Sequence, residues 1–246
     1  MAPRTVGLLH PGEMGAAVGA VLRGQGIRVV WASAGRSDAT RARAEAAGLE
    51  DVGSVDAVAQ SDVVFSICPP HAALEVARSS DFAGIYVDAN AVSPATAAEI
   101  GRVVGDLVDG GIVGSPPSEP GTTRLYLSGD RAGAVAELFE RSVLDARVVQ
   151  NASAVKMAYA AWTKGTAAML LAIRELARRE GVEESLLAEW DLSLPGLRER
   201  HARAERSADA KGWRWVGEME EIAATFEADG LPGGFHRAAA QVYRSR

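Results

Sequence analysis

Through residue 150 the chain alternates short apolar runs with alanine-rich segments, the pattern of strands followed by helical crossovers. The first run starts at Thr5, breaks in the turn His10-Pro11-Gly12 and resumes as the helix-favouring stretch Ala16–Leu22. Arg28–Ala32, Asp62–Cys68, Gly84–Ala89 and Leu107–Val113 are the next apolar runs, with helices predicted after Pro70 and over Ser93–Gly105. Thr122–Ser128 alternates as a strand, Ala132–Arg141 reads as a helix, and Ala146–Val149 is placed to close the sheet. Strands this continuously apolar predict a parallel sheet buried on both faces. From Asn151 the character changes. Ala152–Glu180 holds no proline and one glycine, enough for a helix of about eight turns capped by Gly181. Breaks near Pro195, Gly212 and Pro232-Gly233-Gly234 divide the remainder into three or four helices.

The expected fold class is therefore α/β: an N-terminal Rossmann-like doubly wound sheet over residues 1–150, then an all-α C-terminal domain over residues 151–246. A strand that stops in a glycine-bearing turn and restarts as a helix aims N–H groups and the positive helix end at one point, where a pyrophosphate can sit. The usual G-x-G-x-x-G positions hold His10, Gly12 and Gly15, with Pro11, Glu13 and Met14 between them. Histidine tolerates positive φ better than a branched residue, so the turn is expected to survive loss of the first glycine. NAD-preferring sites carry an acidic residue about twenty positions on; here Ser33, Arg36 and Ser37 stand there, which suits a 2′-phosphate and hence NADP, while Asp38 keeps NAD open as the second choice.

Ligands in such sheets lie at the carboxyl ends of the strands, which puts Cys68, Pro69, Asn90 and Ser93 beside the cofactor. Cys68 reads as a small buried hydrophobe rather than a nucleophile, because no activating partner is visible. Gly110–Pro117 is glycine-rich and then proline-rich, either a surface connection or a cradle for a substrate anion. On the long helix Lys156, Ala160 and Thr163 share a face, with Tyr159 near it. Lys156 sits in an apolar run, and it either snorkels to solvent or is held in a cleft as a proton donor of lowered pKa.

Composition narrows the classes. The 246 residues carry 48% hydrophobic positions and a net charge of −6, with both signs interspersed and no basic footprint for nucleic acid. No apolar run reaches the length of a membrane span, and the start lacks a signal-peptide pattern, so the expected location is cytoplasmic. A single cysteine excludes an internal disulfide and any cysteine-based metal cluster, and no metal is expected.

With these motifs in order, the chain resembles the β-hydroxyacid dehydrogenase superfamily, which includes 6-phosphogluconate and 3-hydroxyisobutyrate dehydrogenases. HPGEMG is similar to the superfamily's G-x-G-x-M-G at its second and third glycines and at Met14. Asp109–Ser115 resembles the substrate-binding run D-A-P-V-S-G-G, keeping the aspartate and one glycine. Lys156–Ala160 resembles K-x-x-N-N, keeping the lysine and losing both asparagines. The C-terminal part, with AYAAWTKGTAAML, looks like the short phosphogluconate-dehydrogenase-like domains. The resemblance implies a nicotinamide cofactor, NADP(H) in first place, and hydride transfer at a carbon bearing hydroxyl or carbonyl, on a small hydroxy or keto acid. It implies Lys156 as acid/base, while Tyr159, one turn on with the only other ionisable hydroxyl of that stretch, is the expected substitute acid, and Ser93, Gly114, Ser115, Lys156 and Thr163 are expected around the substrate. Imine reduction and a non-catalytic dinucleotide-binding sensor are the alternatives. A homodimer through the helical domain is expected, since Trp190, Trp213, Trp215 and Phe226 would be buried in fewer than a hundred residues.

Overall fold

The computed structural model describes residues 5–246. The chain divides into two compact units, one ending at Lys156 and the other running Met157–Arg246. The first unit carries an eight-stranded sheet built from β1 (Thr5–Leu8), β2 (Arg28–Trp31), β3 (Glu50–Asp51), β4 (Val63–Ser66), β5 (Ile85–Asp88), β6 (Leu107–Gly114), β7 (Thr123–Ser128) and β8 (Leu144–Val148). Their order is β3-β2-β1-β4-β5-β6-β7-β8. The first six strands follow the dinucleotide-binding order, whose topological switch point lies between β1 and β4. The helices of this unit are α1 (Glu13–Gly24), α2 (Asp38–Ala46), α3 (Val55–Ala59), α4 (Ala73–Ala77), α5 (Pro94–Val104) and α6 (Ala132–Ala136).

Period-two alternation decides which residue faces which helix layer. Val6, Leu8, Phe65 and Val87 join one core with Val18 and Leu22 of α1. Leu9, Val64 and Tyr86 join the other with Val58, Ala73 and Ile100 from α3, α4 and α5. Each fully buried side chain of this size contributes roughly 1.5–3 kcal/mol, so both layers hold the sheet.

The sheet departs from the all-parallel expectation at one place. β7 runs antiparallel to β6, pairing Gly111 with Tyr126 and Gly114 with Thr123, and parallel order resumes between β7 and β8. A short connection without a crossover helix permits only the antiparallel pairing. Gly110–Gly114, open between connection and cradle in the sequence, is thus the end of a strand, with Gly110 to Val113 buried. The helix predicted over Ala132–Arg141 stops at Ala136 and tightens to a 3₁₀ turn at Glu137–Phe139. α2 buries only Ala44, so no apolar stripe announced it.

The second unit takes in α7 (Ala152–Arg179) from Met157 on, with α8 (Glu183–Ser193), α9 (Leu197–Ala228) and α10 (Gly234–Arg244). α10 runs back along α9, since Trp215 meets Tyr243 edge to face at 5.1 Å and Phe226 packs at a tilt against His236 at 4.4 Å. The Tyr243 hydroxyl donates to Lys164 O at 2.6 Å, and Lys164 pairs with the buried Glu218, tying α7 to both. Two expectations fail here. Gly212 is no break: α9 runs through it, where it lies buried against Tyr243, and the cost of about 1 kcal/mol for a helical glycine is small beside the packing of so long a helix. Trp213 is 66% exposed rather than buried. Among the described residues, no helix is long and apolar enough to cross a membrane.

Candidate functional site

The turn after β1 is built on backbone contacts. Gly12 N donates to His10 O at 2.9 Å, and Ala16 N closes the first helical turn on Gly12 O at 2.8 Å. A Cβ on Gly15 would lie 2.2 Å from His10 O, so only glycine fits; one on Gly12 would meet no protein atom within 4 Å, leaving that side of the turn open for a ligand to approach. The left-handed backbone expected at His10 is not there: among the described non-glycine residues, only Arg141 has positive φ. The first glycine can therefore be lost because this turn needs no special conformation at that position. Burial, with Arg36 nearby, lowers the His10 pKa to about 4, so the imidazole is neutral, and its Nδ1 is buried without a partner. Met14 packs against the core, whereas Glu13, exposed in the first turn of α1, favours the positive helix end but opposes a phosphate placed there.

Two arginines flank this turn. Arg36 Nη2 donates to Leu9 O at 3.1 Å, its Nε is buried without a partner, and desolvation lowers its proton affinity. Arg43, on α2, reaches Pro11 O at 3.4 Å through Nε and Thr40 Oγ1 at 3.1 Å through Nη2. Ser37 caps α2 by accepting from Thr40 N at 3.3 Å. Ser33 N is held by Asp51 Oδ1 at 3.0 Å, and hydrogen bonding from the Ser33 side chain and from Gly53 N keeps the Asp51 carboxyl below its usual range. Arg43 was missed in the sequence because it lies inside a helix with no apolar stripe. An unsatisfied guanidinium nitrogen, a second cation and an open glycine face form the donor set that the phosphates of a nicotinamide dinucleotide require.

At the ends of β4 and β5 the side chains bind one another. Asn90 accepts from Cys68 N at 2.5 Å and donates to Ser66 Oγ at 3.0 Å and to Asp88. Asn90 is 3% exposed, so its amide fixes the Cys68-Pro69 corner from within. Burial pushes the Cys68 thiol up to about 12, which makes it an inert packing group. Ser93 is buried and caps α5, accepting from Thr96 N at 3.2 Å.

The start of α7 is anchored to the sheet. Asp109 on β6 accepts from Ser153 N at 2.8 Å, Ser153 Oγ at 2.5 Å and Ser128 Oγ at 3.1 Å, while Ser128 Oγ also accepts from Ala152 N at 2.9 Å. A Cβ on Gly111 would stand 2.8 Å from Lys156 Cβ and 3.1 Å from Ala152 O, so glycine lets the helix lie this close. Lys156 Nζ then donates to Ile112 O at 2.9 Å. Tyr159 and Thr163 follow on α7 within the second unit, where Tyr159 is 47% exposed and Thr163 Oγ1 donates to Tyr159 O at 3.2 Å. Gly114 and Ser115 are exposed at the end of β6, where Ser115 O accepts from Thr123 Oγ1 at 2.5 Å. Among the described residues no group of side chains could hold a metal ion. A cleft of about 540 Å³ in this unit, lined by Pro120, Phe139 and Leu144 among others, lies at the far edge strand and touches none of these groups.

Residues 5–93 match the family model described as "NADP oxidoreductase coenzyme F420-dependent", and residues 177–245 match a domain of unknown function, DUF1932. An uncharacterised 28.5 kDa protein from the 7S RNA 5′ region of Methanothermus fervidus is 32% identical over 162 residues, covering 62% of this chain and 63% of that relative. The match thus spans less than two thirds of the relative's own length. A conserved protein of unknown function, whose structure is described as similar to 3-hydroxyacid dehydrogenases, is 29% identical, covers 98% of this chain and 96% of its own, and superposes with a TM-score of 0.71. The 3-hydroxyisobutyrate dehydrogenase of Salmonella typhimurium shares the fold at a TM-score of 0.71 and 15% identity, with 98% of this chain and 93% of that one covered. An NADP-oxidoreductase-type match at the N-terminus, the second model at the C-terminus and this architecture make the chain similar in domain order and fold to 3-hydroxyacid dehydrogenases.

Proposed function

We propose that the protein is an NADP(H)-dependent oxidoreductase that interconverts a small hydroxy acid and its keto acid. The observation that carries the reading is the anchoring of Lys156: Asp109 and Gly111 fix the start of α7 on β6, in the same unit as the dinucleotide turn, and hold the ammonium at Ile112 O. Bound at the turn, the nicotinamide would supply or accept the hydride. His10, Pro11, Gly12 and the first turn of α1 would hold the pyrophosphate, with Arg36 and Arg43 on the 2′-phosphate side. As hydride reaches the carbonyl carbon, the oxygen gains a proton from Lys156, a role worth roughly two to four powers of ten in rate. Gly114, Ser115 and Thr163 are the proposed contacts of the substrate, and Tyr159 stands in the sequence slot of the first family asparagine. The working assembly is proposed to be a homodimer.

Cofactor choice tests the reading. Arg36→Ala should weaken NADPH by about 1.5–3 kcal/mol, roughly 10- to 150-fold, and leave NADH nearly unchanged in a fluorescence titration. Equal losses for the two cofactors would remove Arg36 from the 2′-phosphate.

A further inference from the structure

In dinucleotide-binding sheets a carboxylate at the end of β2 accepts from the adenosine ribose 2′-hydroxyl. Here β2 ends at Trp31 and the chain runs on through Ala32-Ser33-Ala34 without an acid. The neighbouring strand supplies one. Asp51, the last residue of β3, is in register with Trp31 across the parallel pair. Its Oδ1 accepts from Ser33 N at 3.0 Å and from Gly53 N at 2.9 Å, so a carboxylate from β3 stands at the tip of β2. Ala34 N donates to Gly53 O at 3.3 Å and ties the loops after the two strands together. Asp38, the acid nearer in sequence, is taken into the first turn of α2 beyond its Ser37 cap.

Asp51 is exposed, and a carboxylate offers about four acceptor positions, so its bonds within the chain leave room for a donor from solvent. Hydrogen bonding from the Ser33 side chain and from Gly53 N lowers its pKa, which makes it an anion at neutral pH. The arginines come from the other side. Arg36 donates to Leu9 O and Arg43 to Pro11 O, both in the chain that leaves β1, and β1 and β3 flank β2 on opposite edges. A 2′-phosphate at the end of β2 is therefore attracted by the arginines and opposed by Asp51, whereas a 2′-hydroxyl can donate to the carboxylate. In water, like unit charges about 4 Å apart oppose each other by a factor of roughly five in affinity.

We propose that Asp51 accepts a hydrogen bond from the adenosine 2′-hydroxyl of NAD(H), so that the chain binds NADH as well as NADPH, and that this carboxylate sets the ratio between them. The inference rests on the dinucleotide reading above. The test is fluorescence titration of the full-length protein with NADH, NADPH and the NADH analogue that lacks the adenosine 2′-hydroxyl. Asp51→Asn is the variant, because its amide oxygen still accepts from Ser33 N and Gly53 N while the charge is lost. NADH should weaken about 3- to 10-fold and NADPH tighten about 3- to 5-fold, with the melting temperature near that of the wild type. Shifts of opposite sign do not come from a loosened loop, which would weaken both cofactors. In the wild type the deoxy analogue should bind about 3- to 10-fold more weakly than NADH, a comparison that needs no variant. Equal losses of NADH and NADPH in Asp51→Asn would overturn the proposal, and so would equal affinity of the wild type for NADH and the deoxy analogue. Those results leave the dinucleotide site in place; a wild type that binds neither NADH nor NADPH would overturn the dinucleotide reading together with the proposal.

Discussion

Asp109→Ala is the perturbation that isolates the anchor of α7. The carboxylate accepts three hydrogen bonds, from Ser153 N at 2.8 Å, Ser153 Oγ at 2.5 Å and Ser128 Oγ at 3.1 Å, and stands at the positive end of a helix. Losing a cap costs about 1 kcal/mol, and the charge at a helix end adds roughly 0.3–1 kcal/mol. Ser153 is fully buried, so its N–H cannot turn to water and a further 1–3 kcal/mol is lost with it. The contributions overlap, and the expected loss is about 3 kcal/mol, read as a shift of the urea midpoint in equilibrium unfolding. Asp109→Asn keeps one acceptor for the Ser153 N–H and can donate to a hydroxyl, so it should lose about half as much. An alanine variant within about 1 kcal/mol of wild type, or an asparagine variant as damaged as alanine, would refute the anchoring role.

Two further perturbations test neighbouring elements. Gly111→Ala places a methyl 2.8 Å from Lys156 Cβ and should cost about 1–3 kcal/mol by thermal unfolding; an unchanged melting temperature would mean that α7 is free to move off β6. Acid sensitivity should trace in part to His10, whose folded pKa of about 4 lies below the unfolded 6.5. The unfolded chain then binds the extra proton between those values, so the His10 contribution is fully present above pH 6.5 and is lost as pH falls toward 4. His10→Asn should therefore lose about 2–3 kcal/mol less than wild type between pH 7 and pH 4.5, and parallel stability profiles would contradict the neutral, buried imidazole.

The sheet was legible because continuous apolar runs such as Val63–Ser66 and Ile85–Asp88 have few alternatives to burial on both faces. The long helix was legible because nothing between Ala152 and Arg179 breaks it. What escaped lacked a periodic signal: the polar α2 with its Arg43, and the two-residue β3 that supplies Asp51. Gly110–Gly114 was legible as strand only through Val113, and the glycines that left the segment open between connection and cradle serve a buried strand against which a helix lies. The candidate polar groups at the ends of β4 and β5 bond to protein partners that spacing does not reveal. Asn90 and Ser93, read as ligand contacts, spend their hydrogen bonds on the Cys68 corner and on the α5 cap, pairings that depend on strands brought together by the fold. Asp109 entered only as part of a motif, and its grip on Ser153 joins residues 44 positions apart.

The central claim is hydride transfer with Lys156 as the proton donor. The most direct measurement is a single-turnover reaction of C4-deuterated NADPH with a panel of small keto acids, following the label into the product by mass spectrometry. Wild type should deliver deuterium to the carbinol carbon of at least one substrate, while Lys156→Ala binds NADPH normally and transfers about a hundredfold more slowly or worse, with little recovery in Lys156→Arg. NADPH binding with no label transferred to any carbonyl compound would contradict an enzymatic role and leave a dinucleotide-binding sensor, and undiminished transfer by Lys156→Ala alongside an inactive Tyr159→Phe would move the proton donor to the tyrosine.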